Sequence, residues 1–167
     1  MKKLIGAVMV TGLMMTGMNY GTAEASSNDL STIEQLDKGT QTLEDVKLGE
    51  PIQNVIKQYG TPVYSYQPNG KKHFYEFNTK EGLLIVTADG VKNKGNVQAI
   101  SMSYNNMDGA TIDQVTEELG PLAFKQEFFN NQTGNFGYVK KGNMNLQFTT
   151  PSPDDKELKL YRIDISK

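Results

Sequence analysis

The 167 residues carry 17 Lys and Arg against 19 Asp and Glu, a formal net charge of −2, with one histidine and no cysteine. Neutralising phosphates requires clustered cations, so this mild acidity, with Arg162 as the only arginine, argues against nucleic acid as a principal partner. The missing cysteines exclude disulfide staples, thiol nucleophiles and lipid attachment through a cysteine.

The chain opens with Lys2 and Lys3, continues into the apolar run Leu4 to Met15, and reaches the small-x-small triplet Ala23 to Ala25. That order predicts a signal peptide over 1–25, cleaved before Ser26, with an apolar run too short to span a bilayer. The mature chain is expected to be secreted and extracellular, with no stable membrane insertion. Residues 26–39 read as a polar arm in which "STIEQL" could form a short helix, Ser31 capping it and Ile33 and Leu36 on one side. Two halves follow, 40–105 and 106–167.

Each half starts with a helical stripe. Ile52, Val55, Ile56 and Tyr59 lie at i, i+3, i+4 and i+7, with Pro51 suited to the first turn and Gly60 to a left-handed residue past the end. In the second half Ile112, Val115 and Leu119 make the stripe, Thr111 with Gln114 reads as a capping box, and Gly120-Pro121 stops the helix. Strand patterns come next, at 63–66, 72–77, 83–88 and 97–104, then at 122–129, 135–140, 144–150 and 158–166. Turn-forming clusters such as "QPNGK" and "NNQTG" separate them.

The halves echo one another. Gly49, Ile52, Val55 and Gly60 return 60 positions later as Gly109, Ile112, Val115 and Gly120, Gly82 returns as Gly142, and the last strands align Ile100 with Ile163. The expected fold is therefore α+β, a tandem repeat of helix plus antiparallel meander with the helices on one face of a continuous sheet, forming one compact domain. Period-two alternation in "MNLQFT", with Met144, Leu146 and Phe148 against Asn145 and Gln147, makes one sheet face apolar and the other polar. The same alternation groups Tyr161 with Ile163 and Ile165 on the apolar face.

The motif Gly49, Ile52, Val55, Gly60, Pro62, repeated as Gly109, Ile112, Val115, Gly120, Pro121, resembles the YjgB-like family of secreted proteins of Gram-positive bacteria. The helix-then-meander unit is also similar to the tandem-repeat beta-lactamase inhibitory protein and to small lipoproteins of outer-membrane assembly, although this chain lacks their cysteines. The matching residues belong to helices and turns, and they carry over no binding residue. The resemblance implies a non-catalytic module that presents a sheet face to another macromolecule.

Candidates for chemistry are sparse. His73, the only histidine, lies mid-strand beside Lys71 and Lys72 and reads as a surface-strand residue; one His without Cys makes a poor zinc site. Glu117-Glu118 and Asp154-Asp155 could form a hydrolase acid-base pair but read as helix surface and turn. "DGVKNKGN" only loosely resembles a calcium loop, and Asn131 to Thr133 matches a glycosylation acceptor within a hairpin turn. No cofactor is expected, and the chain is not read as an enzyme. Aromatics are the richest signal: Tyr64, Tyr66, Phe74, Tyr75 and Phe77 in the first half, then Phe124, Phe128, Phe129, Phe136 and Tyr138 in the second. Alternation leaves some of each set on the open face. The expected function is a secreted protein-binding module, in one form a hydrolase inhibitor, with a glycan-binding envelope module and a hydrolase as alternatives. The expected contact residues are Tyr64, Tyr66, His73, Tyr75, Lys125, Asn145 and Gln147, with another protein or cell-wall glycan as partner.

Overall fold

Ile52 and Val55 are wholly buried on α2 (Ile52–Tyr59), as the 3.6-residue stripe requires, and Ile112, Val115 and Leu119 do the same on α3 (Ile112–Leu119). The computed structural model describes residues 28–167, so the expected signal segment and its cleavage point lie outside them. On α3 the capping box is complete: Thr111 Oγ1 accepts from the Gln114 amide, and Gln114 Oε1 accepts from the Thr111 amide. Both helices end on glycine at positive φ, Gly60 at 87° and Gly120 at 71°, each amide donating to the carbonyl four residues back.

A small hairpin, β1 (Thr42–Leu43) with β2 (Val46–Lys47), precedes α2. The main sheet has eight antiparallel strands. They are β3 (Val63–Gln67), β4 (Lys72–Asn78), β5 (Gly82–Ala88), β6 (Val97–Tyr104), β7 (Phe124–Phe128), β8 (Phe136–Lys141), β9 (Met144–Thr149) and β10 (Lys159–Ser166). The spatial order is β3-β4-β5-β6-β10-β9-β8-β7. The molecule is thus α+β, and the two halves meet where β6 pairs with β10, Met102 opposite Ile163 and Ile100 opposite Ile165.

The core lies between the helices and one face of this sheet. Tyr75, Leu84, Val86, Ile100, Met102, Leu146, Phe148, Leu160 and Ile163 fill it. Complete burial of such side chains stabilises by about 1.5–3 kcal/mol each. Gly137 faces the same way: a Cβ there would come within 2.6 Å of Ile112 Cδ1, so its missing side chain lets α3 press against β8.

Two expectations change. The short helix anticipated within 26–39 is α1 (Leu30–Asp37), but it is capped by Asp29 rather than Ser31, and it is docked, with Ile33 wholly buried. α1 precedes both halves in sequence and packs on α3 of the second, and Asn28 Nδ2 donates to the Leu160 carbonyl at 2.8 Å. Tyr161 is not in step with Ile163. The register with β9 shifts between Leu160 and Arg162, and this bulge keeps Leu160 in the core while Tyr161 turns outward, its hydroxyl donating to Gln147 Oε1. A matching shift between β5 and β6 gives Val97 and Ile100, three apart, the same buried status.

Candidate binding surface

Residues directly opposite in an antiparallel pair share a face, so the register assigns every strand side chain. On the face away from the helices, one row runs Glu76, Ile85, Ser101, Asp164, Asn145, Lys140, Phe124. A parallel row runs Leu83, Ser103, Arg162, Gln147, Tyr138, Gln126.

The expected contact residues separate into three places. Asn145 and Gln147 lie on the open face, half-buried, and accept from the Tyr138 and Tyr161 hydroxyls at 2.7 and 2.8 Å. With their oxygens engaged, the two amide groups are held in fixed orientation.

Tyr64, Tyr66, His73 and Tyr75 lie on the helix side, because Tyr64 pairs with the core residue Tyr75 and Tyr66 pairs with His73. Tyr75 is wholly buried, its hydroxyl accepting from the Asn93 amide, and so is withdrawn from any partner. His73 is not a surface-strand residue: it is 6% exposed, with its ring 4.6 Å from that of Tyr66 and 5.9 Å from that of Tyr64. Its Nε2 lies 3.3 Å from the Gly90 carbonyl, which can only accept, so Nε2 carries the proton. Nδ1 then accepts from the Tyr64 hydroxyl at 2.8 Å. Only Tyr66 of this group is substantially exposed, at the β3 edge.

Lys125 sits elsewhere again. It pairs with buried Val139 and so faces the helices, bonding Asp113 of α3 at 2.6 Å and also Glu127. Hydrogen bonds to Asp113 and Glu127 hold its ammonium above the ordinary lysine value.

Several aromatics omitted from that contact set lie on the open face. Phe124 is 56% exposed, Phe128 41% and Phe136 51%, and the rings of Phe128 and Phe136 stack at 4.5 Å. Asn135 anchors the start of β8: its buried amide donates to the Pro153 and Asp155 carbonyls, at 3.0 and 2.6 Å. Phe136 follows Asn135 and must point oppositely, outward. Gln126, Phe128, Phe136, Tyr138, Gln147 and Tyr161 border a shallow groove of about 320 Å³. The sequence does contain the signal: in "NFGYVK" the small or aliphatic Gly137 and Val139 alternate with Phe136 and Tyr138, and close helix packing needs the small side. A larger depression, about 400 Å³, lies among Lys71, Lys72, Gln98, Ser166 and Lys167, and there Gln98 is already bonded to Asp89.

Three of the other candidate residues make local hydrogen bonds. Asp89, the first residue of the calcium-like loop, accepts from the Asn96 amide and closes that loop. The Asp155 carboxylate accepts from the Glu157 amide, and Asn131 accepts from Lys156. Among the described residues no three His, Asp or Glu side chains gather as metal ligands, and no helix is long and apolar enough to cross a membrane.

Fold and surface together define an α+β protein with one sheet face covered by helices and the other open, aromatic toward its β7–β8 end. The chain belongs to the SA0570-like family, whose model matches residues 1–166. No curated protein matches it, and no solved structure does.

Proposed function

We propose that this chain is a secreted, non-enzymatic binding module that engages another protein through the open face of its sheet. The observation that carries the reading is the set of exposed phenylalanines, Phe124, Phe128 and Phe136, on a face whose neighbouring strands present mainly polar and charged side chains such as Asn145, Gln147, Lys140 and Arg162. Exposed aromatics amid fixed polar groups suit a protein interface, where buried ring area supplies affinity and amides supply direction. Inhibition of a hydrolase is one form such binding would take. It accords with the resemblance to the tandem-repeat beta-lactamase inhibitory protein, and the kinship to YjgB-like secreted proteins belongs to the same proposal.

The order of elements supports reading the halves as copies. After the β1–β2 hairpin, which only the first half carries, each runs helix then four strands of the main sheet, each helix ends on a positive-φ glycine, and each last strand carries a bulge near its start. The amides of Ile52 and Ile112 donate to the Gly95 and Leu158 carbonyls, which tie the two helix starts in the same way.

A second reading has its own observation. The stacked pair Phe128 and Phe136 beside Gln126 and Gln147 is also suited to a sugar ring, with the aromatic plane against C–H groups and amides toward hydroxyls. Affinity capture from extracellular fractions, repeated with Phe136→Ser, tests both. The leading reading expects one stoichiometric protein partner, lost in the variant. Retention on purified cell wall, lost in the variant, would favour glycan. Capture that Phe136→Ser leaves unchanged would remove the open face from the function.

A further inference from the structure

We propose that two copies of this chain pair edge to edge through β7 and form a symmetric dimer with a continuous sheet. β7 ends the sheet, so one side of its backbone has no strand partner among the described residues. An unpaired edge is a template for another strand, and natural sheets usually protect it with charged side chains, lysine above all, with inward-pointing charges, proline or a bulge, or with a covering element. β7 reads Phe-Lys-Gln-Glu-Phe, without proline, and its two inward charges, Lys125 and Glu127, are opposite in sign, so they guard the edge against a foreign strand but can be matched by a second copy.

A two-fold axis demands that a surface complement itself. Antiparallel pairing centred on Gln126 sets Phe124 of one copy opposite Phe128 of the other, Lys125 opposite Glu127, and Gln126 opposite itself. The faces agree. Phe124, Gln126 and Phe128 all lie on the open side, and Lys125 and Glu127 both lie on the helix side. Opposite charges and aromatic pairs directly across antiparallel strands are each favourable, whereas two lysines or two glutamates there would repel. Register slips lose this match, since a shift of one residue sends each chain's phenylalanines to opposite faces. The other free edge, β3 (Val-Tyr-Ser-Tyr-Gln), carries no charge to select a register.

Pairing would also account for the exposed rings. Phe128 already stacks on Phe136, and the dyad would extend that row with Phe124 of the second copy. Lys125 and Glu127, already bonded within one chain, would join the partner's pair in a ring of alternating charge. A five-residue ladder is a small interface, so the association is expected to depend on concentration. This inference is independent of what the open face binds.

Sedimentation equilibrium of the mature chain across a concentration series reads the dissociation constant directly. Wild type is expected to pass from monomer to dimer. Lys125→Glu places carboxylates at both charged positions, and Glu127→Lys places ammonium groups at both. Each alone should weaken dimerisation about tenfold or more, with circular dichroism unchanged. An equimolar mixture of the two should dimerise again, because every facing pair is then opposite in sign. The double variant Lys125→Glu/Glu127→Lys, which keeps opposite signs across the axis, should dimerise as wild type does. A wild type that stays monomeric throughout overturns the proposal. So does a dimer indifferent to both single variants, or a mixture that fails to re-form it.

Discussion

Glu44 holds a carboxylate out of water. It is buried at the β1–β2 turn, with Oε1 accepting from the Tyr104 hydroxyl at 2.9 Å. Burial pushes its pKa up, more than that hydrogen bond pulls it down, and nearby Glu81 and Asp45 push the same way. Burial also raises Tyr59, whose hydroxyl donates to the Glu44 carbonyl, to about 12. A carboxyl held more tightly protonated in the folded state favours folding below its unfolded value of 4.5. That contribution is lost as pH rises through the raised folded value. Glu44→Gln keeps an acceptor for Tyr104 and removes the titration. Urea melts at a series of pH values above 4.5 should show stability falling more steeply in wild type than in the variant, and equal slopes would contradict this. His73 gives a contrast at the same scale. His73→Ala deletes a ring packed between Tyr64 and Tyr66 and leaves the Tyr64 hydroxyl without its acceptor. A stability loss of about 2 kcal/mol is expected. Because His73 lies on the helix side, partner capture should stay within a few-fold of wild type once folding is confirmed. Lost capture by a folded variant would place the function on the wrong side of the sheet.

The elements were legible in the sequence where local chemistry decides them. Both helices fall where the apolar stripes and glycine stops put them, and β6 was bounded by its apolar pattern and turn signals. The helix-end glycines are more demanding than a left-handed stop. Gly60 has φ 87° and ψ −152°, and Gly120 has φ 71° and ψ −168°. That extended, positive-φ region is occupied almost only by glycine. A Cβ at either site meets no atom within 4 Å, so the penalty for a side chain is backbone strain alone. Gly60→Val and Gly120→Val should each cost about 1–3 kcal/mol in chemical denaturation, by similar amounts. If either is neutral, the observed backbone is not required there. What alternation could not foretell was phase. The bulge before Arg162 inserts one residue, which sends Tyr161 outward while Leu160 stays in the core. Nor could tyrosine enrichment in the first hairpin say which side of the sheet those rings take. The pairing of Tyr64 with Tyr75 and Tyr66 with His73 decides that, and pairing is a long-range outcome.

At the scale of the whole molecule the halves are interlocked rather than merely abutted. β6 and β10 join them through a five-residue register, and α1, from the start of the chain, lies on α3 of the second half. Lys141 of β8 bonds Asp37 at the end of α1 at 2.7 Å, and the Ala110 amide donates to the Asn28 carbonyl. A chain cut between residues 105 and 106 therefore separates groups that pack on each other. The fragment 106–167 alone exposes the β10 edge and the α3 surface that α1 covers. The fragment 26–105 alone exposes the β6 edge and Ile33. Each half buries too little by itself to offset its chain entropy. Each fragment is thus expected to show little ordered structure by circular dichroism, and an equimolar mixture should regain the sheet spectrum. Shortening the first fragment to 40–105 removes α1 and the contacts of Ile33. Losing that one buried side chain costs about 1.5–3 kcal/mol, which corresponds to at least tenfold weaker reassociation, with the Asn28 and Asp37 bonds adding to it. Titration calorimetry of the two fragment pairs measures the difference. Equal affinity with and without residues 26–39 would reduce α1 to a passive arm.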